Sequence, residues 1–92
     1  MTFQDLDFKP RTDGPISLGV QARIDFPNRY GASVIRSRYS YGGEDGLYEL
    51  AVMLNGSLCY DTPITSDVIG RLTPEAVTEL LGQIEMLPPK EA

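Results

Sequence analysis

The sequence predicts an α+β domain: a four-stranded antiparallel β-meander with one C-terminal amphipathic helix packed on one face. Three observations predict this fold. Apolar and polar residues alternate strictly from Ile16 to Phe26, an Asn-Gly pair stands at positions 55 and 56, and apolar residues recur at helical spacing between positions 77 and 87. The chain is thereby divided into an extended N-terminal arm (1–15), a single domain (16–87) and a C-terminal tail (88–92).

The N-terminal arm contains Pro10, Gly14 and Pro15 among charged residues, a composition typical of extended chain rather than of a regular element. It also carries three large apolar side chains. Leaving them in water forgoes about 1.5–3 kcal/mol each, so we expect them to pack along the domain or onto a partner. These side chains are Phe3, Leu6 and Phe8.

The first two predicted strands form a hairpin. The alternation over 16–26 places the apolar side chains on one face and Gln21, Arg23 and Asp25 on the other. Turn-forming residues follow at 27–31, and the chain returns as a strand over 32–38. Val34 and Ile35 point to opposite faces of that return strand. Arg36 and Arg38 share the face of Val34, so one end of this face is predicted to be basic.

The third strand is predicted over 47–54 and is apolar on both faces, which indicates the centre of the sheet. Asn55-Gly56 is the sequence signature of a type I′ turn and pairs this strand with a fourth over 57–61. Residues 62–67 then leave the sheet. Ser66 or Asp67 is placed to cap a single helical turn through Gly70.

The C-terminal helix begins with Thr73 as N-cap, Pro74 at the first helical position and Glu75 in the first turn. Two prolines at positions 88 and 89 end it. We interpret its apolar stripe as core against the sheet rather than as a docking face. The stripe consists of Val77, Leu80, Leu81, Ile84 and Leu87.

The composition argues against several kinds of chemistry. The chain has 92 residues, room for one core, and contains no histidine, the commonest metal ligand and general base. Its one cysteine, Cys59, is expected to be a buried, inert thiol and indicates a reducing, cytoplasmic compartment. No stretch approaches the roughly 20 apolar residues of a membrane helix. We therefore expect no enzyme activity, no cofactor, no metal and no membrane association.

The charge is unevenly distributed. Residues 1–43 carry six basic and four acidic residues, whereas residues 44–92 carry two basic and nine acidic ones. The net charge of −5 argues against general affinity for phosphate backbones. Each half is suited to a different partner, and a merely solvated surface is the alternative interpretation.

Two groups of residues are candidates for binding. The first is basic and aromatic, the kind of surface that contacts a protein or stacks on single-stranded nucleic acid. It consists of Arg29, Tyr30, Arg36, Arg38, Tyr39 and Tyr41. The second is acidic. Asp61 and Asp67 are open to interpretation as binding residues, as a Mg²⁺ or acid/base pair, or as turn and cap residues, and Glu44 and Asp45 as binding residues, catalytic residues or solvated surface. It consists of Glu44, Asp45, Asp61 and Asp67.

Several short runs resemble small uncharacterised proteins of tailed phages and prophages. The runs are Tyr-Gly-Ala-Ser-Val at 30–34, Gly-Leu-Tyr-Glu-Leu-Ala-Val at 46–52 and Tyr-Asp-Thr-Pro-Ile-Thr at 60–65. The resemblance covers about residues 20–87. It implies a phage-borne accessory protein, a class whose members often bind a host protein and include inhibitors of defence systems such as CRISPR.

The expected function is therefore non-enzymatic binding of a host or phage protein by a monomer or small homo-oligomer. One alternative is a module that binds single-stranded nucleic acid through the basic and aromatic residues. Another is a virion structural or assembly protein that associates through exposed strand edges.

Overall fold

In the computed structural model, one antiparallel sheet carries a single α-helix on one of its faces. The structure describes residues 1–13, 16–37, 43–65 and 68–89. The predicted α+β class, with an antiparallel sheet and a C-terminal helix, is confirmed. The sheet differs in detail, because it has six strands where the sequence predicted four.

The strands follow one another in space as they do along the chain, in the order β1-β2-β3-β4-β5, and β6 pairs with the part of β4 that β5 leaves open. Single 3₁₀ turns lie at Phe3–Asp5 and Gly43–Asp45. The strands are β1 (Lys9–Asp13), β2 (Ile16–Asp25), β3 (Tyr30–Arg36), β4 (Tyr48–Leu54), β5 (Ser57–Leu58) and β6 (Ile69–Leu72), and the helix is α1 (Pro74–Glu85).

The two additional strands lie where the sequence predicted other structure. β1 belongs to the predicted extended arm and pairs with β2, with Lys9 opposite Gln21. β6 takes up residues that were assigned in part to a helical turn ending at Gly70. The two residues of β5 pair only with the C-terminal end of β4. The backbone groups in the N-terminal half of β4 are therefore available to form hydrogen bonds with β6.

Both predicted hairpin turns between paired strands are present. Asn55 and Gly56 have φ angles of 52° and 83°, as a type I′ turn requires, so this prediction is confirmed. In the β2–β3 turn, the Arg29 amide donates to the Phe26 carbonyl at 3.1 Å, and Arg29 itself has a φ of 73°.

The core lies between α1 and the face of the sheet that carries the even-numbered residues of β2 to β4. Val77, Leu81 and Ile84 of the helix are fully buried, which confirms that the predicted stripe belongs to the core. They meet side chains from alternate positions of the strands. Those fully buried strand residues are Ala32, Val34, Leu50 and Val52.

Both ends of α1 are capped by side chains. At the N-terminus, Thr73 Oγ1 accepts a hydrogen bond from the Ala76 amide at 3.2 Å, as predicted. At the C-terminus, Asn28 from the β2–β3 turn donates through Nδ2 to the carbonyls of Ile84, Glu85 and Leu87 at 2.9, 3.2 and 3.0 Å. The turn thus fixes the end of the helix over the sheet.

The N-terminal segment packs along the domain, one of the two arrangements that its apolar residues suggested. The Phe3 amide donates to Thr78 Oγ1 of α1 at 2.9 Å. The Phe3 ring lies 4.9 Å from the Tyr48 ring and 5.4 Å from the Phe8 ring, measured between centroids. This aromatic cluster closes the core at the edge of the helix.

Candidate functional site

The second face of the sheet, opposite α1, is the main surface left for a partner. Because side chains alternate along a strand, it carries the odd-numbered residues of β3, of β4 and of β2 from Gln21 to Asp25, together with Lys9 opposite Gln21 and Leu58 opposite Met53. We call this set the second face. Its members are Lys9, Gln21, Arg23, Asp25, Ser33, Ile35, Glu49, Ala51, Met53 and Leu58.

At the β1–β2 end of the second face lies a shallow cleft of about 280 Å³. Its lining contains three cationic side chains and one carboxylate, so we call it the basic cleft. Lys9 on β1 lies opposite Gln21 on β2. Arg11 follows Lys9 by two residues on β1, and Arg23 follows Gln21 by two residues on β2. Because the strands are antiparallel, the two arginines lie on opposite sides of the Lys9–Gln21 pair. The lining residues are Asp7, Lys9, Pro10, Arg11, Gln21 and Arg23.

The three cations of the basic cleft differ in their bonding. Lys9 Nζ lies 3.9 Å from an Asp7 carboxylate oxygen, and both side chains are largely exposed, so this ion pair is weak. Arg23 Nη2 donates to the Gly56 carbonyl at 3.1 Å and so reaches across β3. Arg11 is half-buried and forms no hydrogen bond or ion pair in the structure as described. Its guanidinium is therefore available to a ligand.

Gln21 joins the basic cleft to the centre of the sheet. Its Nε2 donates to Ser33 Oγ on β3 at 2.8 Å, which fixes the orientation of the amide. The floor of the cleft thus consists of two hydrogen-bonded strands and a cross-strand side-chain contact. Such a floor holds charged groups at defined spacing.

The other end of the second face is apolar. Ala51 and Met53 are buried, Ile35 is half-buried, and Leu58 on the short edge strand β5 is 55% exposed. Tyr60, two residues later, is 46% exposed. Exposed apolar side chains on a surface that also carries arginine are typical of a protein contact surface, where arginine and tyrosine are enriched.

The structure does not bring the described members of the basic and aromatic group together. Tyr30 is buried, with its ring in the core. Arg29 is exposed just before β3, whereas Arg36 ends β3 on the helix side, 5.4 Å from the centroid of the Tyr48 ring. The other predicted members, Arg38, Tyr39 and Tyr41, lie outside the described residues.

The acidic candidates are likewise separate. Asp45 forms an exposed ion pair with Arg71 at 3.5 Å, and Glu44 belongs to the same 3₁₀ turn. Asp61 is exposed and accepts a hydrogen bond from the Cys59 thiol at 3.1 Å. The predicted burial of Cys59 is confirmed. Asp67 lies outside the described residues.

Within the described ranges, no group of three or more histidine, cysteine, aspartate or glutamate side chains is placed to hold a metal ion. In the same ranges, no helix is long and apolar enough to cross a membrane.

No family model, curated protein or solved structure matches the chain. A functional proposal therefore depends on the geometry of this chain.

The residues of the basic cleft are not among those that the sequence predicted to bind. Gln21 and Arg23 were placed on the polar face of a strand, which is a signal that they share a surface. Lys9 and Arg11 carry a weaker signal, namely two cations at alternate positions. Only the pairing of β1 with β2 brings the four side chains together. The sequence did not predict β1 as a strand, because Pro10 has no amide proton to donate to a strand ladder.

Proposed function

We propose that this protein acts by binding another protein through the second face of its sheet, without catalysing a reaction. The observation that supports this proposal is the combination, on one rigid face, of the basic cleft with the exposed Leu58 and the half-buried Ile35. Interfaces pair apolar anchors with charged groups that fix orientation and partner choice.

Charge complementarity indicates an acidic partner surface. The basic cleft contains three cations and one carboxylate, although the whole chain has a net charge of −5. The helix on the other side of the sheet carries Glu75, Glu79 and Glu85 and no basic residue. A partner with an acidic surface is attracted to the basic cleft and repelled by the helix, and this difference orients the partner as it approaches.

The resemblance to small phage and prophage proteins extends the proposal. On this basis the protein is a phage-borne accessory protein that acts in the host cytoplasm, and its partner is a host protein. Inhibition of a host defence system such as CRISPR is the most specific form of the proposal. Its support is the resemblance, and the second face supplies the surface that such an inhibitor needs.

A site-specific crosslinking experiment tests the binding surface. A photo-reactive amino acid replaces Ser33, at the centre of the second face, and in a control variant it replaces Gln83, on the exposed side of α1. We expect one protein in a host lysate to crosslink from position 33 and not from position 83. The purified partner should then bind the wild-type chain and lose affinity when Leu58 is changed to Ser. Crosslinking from position 83 alone would contradict the proposal.

The inhibitor role has a separate test. A host strain with an active CRISPR system is challenged with a targeted phage while it expresses the protein or the Leu58→Ser variant. The proposal predicts that the wild-type chain restores plaque formation and the variant restores less. Equal plaque counts with and without the wild-type chain would remove this role and leave the binding proposal intact.

Binding of single-stranded nucleic acid has less support from the structure than protein binding. Stacking on bases needs exposed aromatic rings on a basic surface. Tyr30 is buried in the core, and the basic cleft has no aromatic side chain among its described lining residues; the exposed Tyr60 follows Leu58, at the apolar end of the second face.

A further inference from the structure

We infer that the basic cleft binds an extended acidic segment of the partner, with alternate carboxylates contacting Arg11, Lys9 and Arg23. This inference rests on the proposed function, because it names the chemistry of the partner at the same face of the sheet. It goes further by assigning the contact to one end of that face and to particular side chains.

The spacing of the cations fits an extended polypeptide. Side chains on one face of a strand recur every second residue, about 6.6 Å apart along it. Lys9 and Arg11 stand at alternate positions of β1, although the β1–β2 register shifts between Pro10 and Thr12. Arg23 lies diagonally from Lys9 on β2, and its guanidinium is directed toward the Gly56 carbonyl. The carboxylates of a segment with acidic residues at alternate positions recur at nearly the same distance. Such a segment can therefore contact the cations in turn.

The bonding of Arg11 supplies the strongest reason to expect an anion. Arg11 is half-buried, lines the cleft together with Lys9 and Arg23, and has no hydrogen-bond or ion-pair partner in the described structure. The nearby Asp7 carboxylate lies 3.9 Å from Lys9 Nζ, too far for a good hydrogen bond. A carboxylate that enters the cleft can accept two parallel hydrogen bonds from Arg11 and offset the repulsion between the cations.

A polypeptide fits the cleft better than a nucleic acid does. Its volume of about 280 Å³ is slightly below the usual range for enclosed ligand sites, and the cleft is shallow, as a contact with a short stretch of extended chain requires. A long phosphate backbone would extend beyond the three cations and meet a molecule with a net charge of −5.

Fluorescence anisotropy of a labelled peptide tests this inference. The probe is a short fluorescein-labelled peptide of alternating glutamate and serine, titrated with the full chain at low salt. Arg11→Gln removes the unpaired cation. Arg71→Gln is the matched control, because it removes the same charge from an exposed side chain outside the cleft. We expect Arg11→Gln to weaken peptide binding about tenfold and Arg71→Gln to leave it unchanged. Thermal unfolding of both variants verifies that they fold.

Three results would overturn the inference. The first is equal binding of a peptide with glutamine in place of glutamate. The second is an equal loss of affinity in Arg11→Gln and Arg71→Gln, because that indicates attraction by net charge alone. The third is tighter binding of a single-stranded DNA oligonucleotide at the same salt concentration.

The experiment also separates this inference from the proposed function. If the crosslinked partner binds Arg11→Gln as tightly as wild type and loses affinity for Leu58→Ser, the proposed function stands and the cleft assignment is wrong. If the glutamate peptide binds through Arg11 while no protein crosslinks from position 33, the proposed function fails and the cleft remains an anion site.

Discussion

At the scale of single residues, Asn28 has the most structural consequences. It is buried, and its side-chain amide donates to three carbonyls at the end of α1 while its Oδ1 accepts from the Tyr30 amide at 3.0 Å. The last turn of α1 has no basic side chain to bond its terminal carbonyls. One turn residue therefore connects the first hairpin to the helix. The sequence assigned Asn28 only to a turn, because a contact over more than fifty positions has no local signal.

We predict that Asn28→Ala lowers the free energy of unfolding by about 2–3 kcal/mol, because buried carbonyls lose their donor. Urea denaturation followed by circular dichroism measures the change. Asn28→Asp is a sharper variant, because near neutral pH its carboxylate faces carbonyl oxygens at the negative end of the helix dipole. That environment raises the pKa of the introduced carboxyl, so the variant should regain stability as the pH falls and the group becomes protonated. If the stability of the Asn28→Asp variant did not change with pH, the Asn28 amide would not bond the helix carbonyls as described.

Gly19 is a second residue with structural consequences, because its position does not accommodate a side chain. It has a φ of 94°, and a Cβ at this position would overlap the Arg36 carbonyl and lie 2.8 Å from the Ser37 Cα. We predict that Gly19→Ala destabilises the domain by at least about 3 kcal/mol, from backbone strain and steric overlap together. Gly56→Ala is the control, because its φ is 83° and its Cβ would meet nothing within 4 Å. Gly56→Ala should lower the free energy of unfolding by only about 1 kcal/mol, as measured by thermal unfolding. Equal losses of stability in the two variants would show that steric overlap at Gly19 does not contribute.

At the scale of elements, those with strong local signals were predictable from the sequence. The helix followed from its cap, Pro74 and the apolar stripe, and the second hairpin followed from Asn55-Gly56. β1 and β6 were not predictable in the same way. β1 contains a proline, and β6 contains Arg71 at a φ of 57°, which is unusual in a strand. Both strands form because they complete the backbone hydrogen bonds of a neighbour, a tertiary effect that local sequence does not record.

Within α1, Gly82 weakens the helix. It is an interior position at which a Cβ would meet nothing within 4 Å. We predict that Gly82→Ala stabilises the protein by about 0.5–1 kcal/mol, because alanine loses less backbone entropy in a helix. Gly46→Ala also has open space around it, but its φ is 77°, so it should destabilise the protein. Differential scanning calorimetry of both variants measures the opposite signs, and a lower Tm for Gly82→Ala would contradict the prediction.

The N-terminal 3₁₀ turn depends on an ionised carboxylate. Asp5 Oδ2 accepts hydrogen bonds from the Thr2 amide at 2.8 Å and the Thr2 hydroxyl at 3.1 Å. These bonds, the backbone one first, hold the pKa of Asp5 below its usual value of 3.8. A lowered pKa means that the folded turn favours the ionised form. Its contribution is therefore complete above the usual value and is lost as the pH falls through the lowered pKa.

We predict that the Thr2 amide proton resonance shifts with pH at a midpoint below 3.8, the usual value for aspartate. Asp5→Asn keeps an acceptor oxygen and removes the titration, so its Thr2 resonance should stay constant over the same range. Two-dimensional NMR of both proteins makes the measurement. If the Thr2 resonance instead shifted with a midpoint at the usual aspartate value of 3.8, the hydrogen bonds would not form in solution.

At the scale of the whole molecule, the basic cleft and the acidic helix lie on opposite sides of the sheet. The chain order already divides six basic residues from nine acidic ones, and the structure places the glutamates of α1 on one side of the sheet and the basic cleft on the other. The sequence indicated the imbalance but not the cleft, because Arg11 and Arg23 meet only through strand pairing. The proposed binding surface therefore lies on a face of the sheet, whereas the sequence pointed to the two groups of basic and aromatic and of acidic residues.

The N-terminal segment is integrated into the fold as a whole, and this leads to a final prediction. Phe3 packs on Tyr48 and Phe8 at centroid distances of 4.9 and 5.4 Å, and its amide bonds α1. Phe3→Ala should cost about 2 kcal/mol, because a half-buried ring loses part of its apolar burial. For a domain of this size the expected fall in Tm is about 8–15 °C within a single transition.

Met86→Ala is the control for Phe3→Ala, since Met86 is a large apolar side chain that is 85% exposed. Its Tm should differ little from that of the wild-type chain. If Phe3→Ala leaves the main transition unchanged and only adds an early one, the segment opens independently and its aromatic ring does not stabilise the sheet. A lowered single transition instead shows that the N-terminal segment, the helix and the sheet unfold together, because the ring joins all three through one cluster.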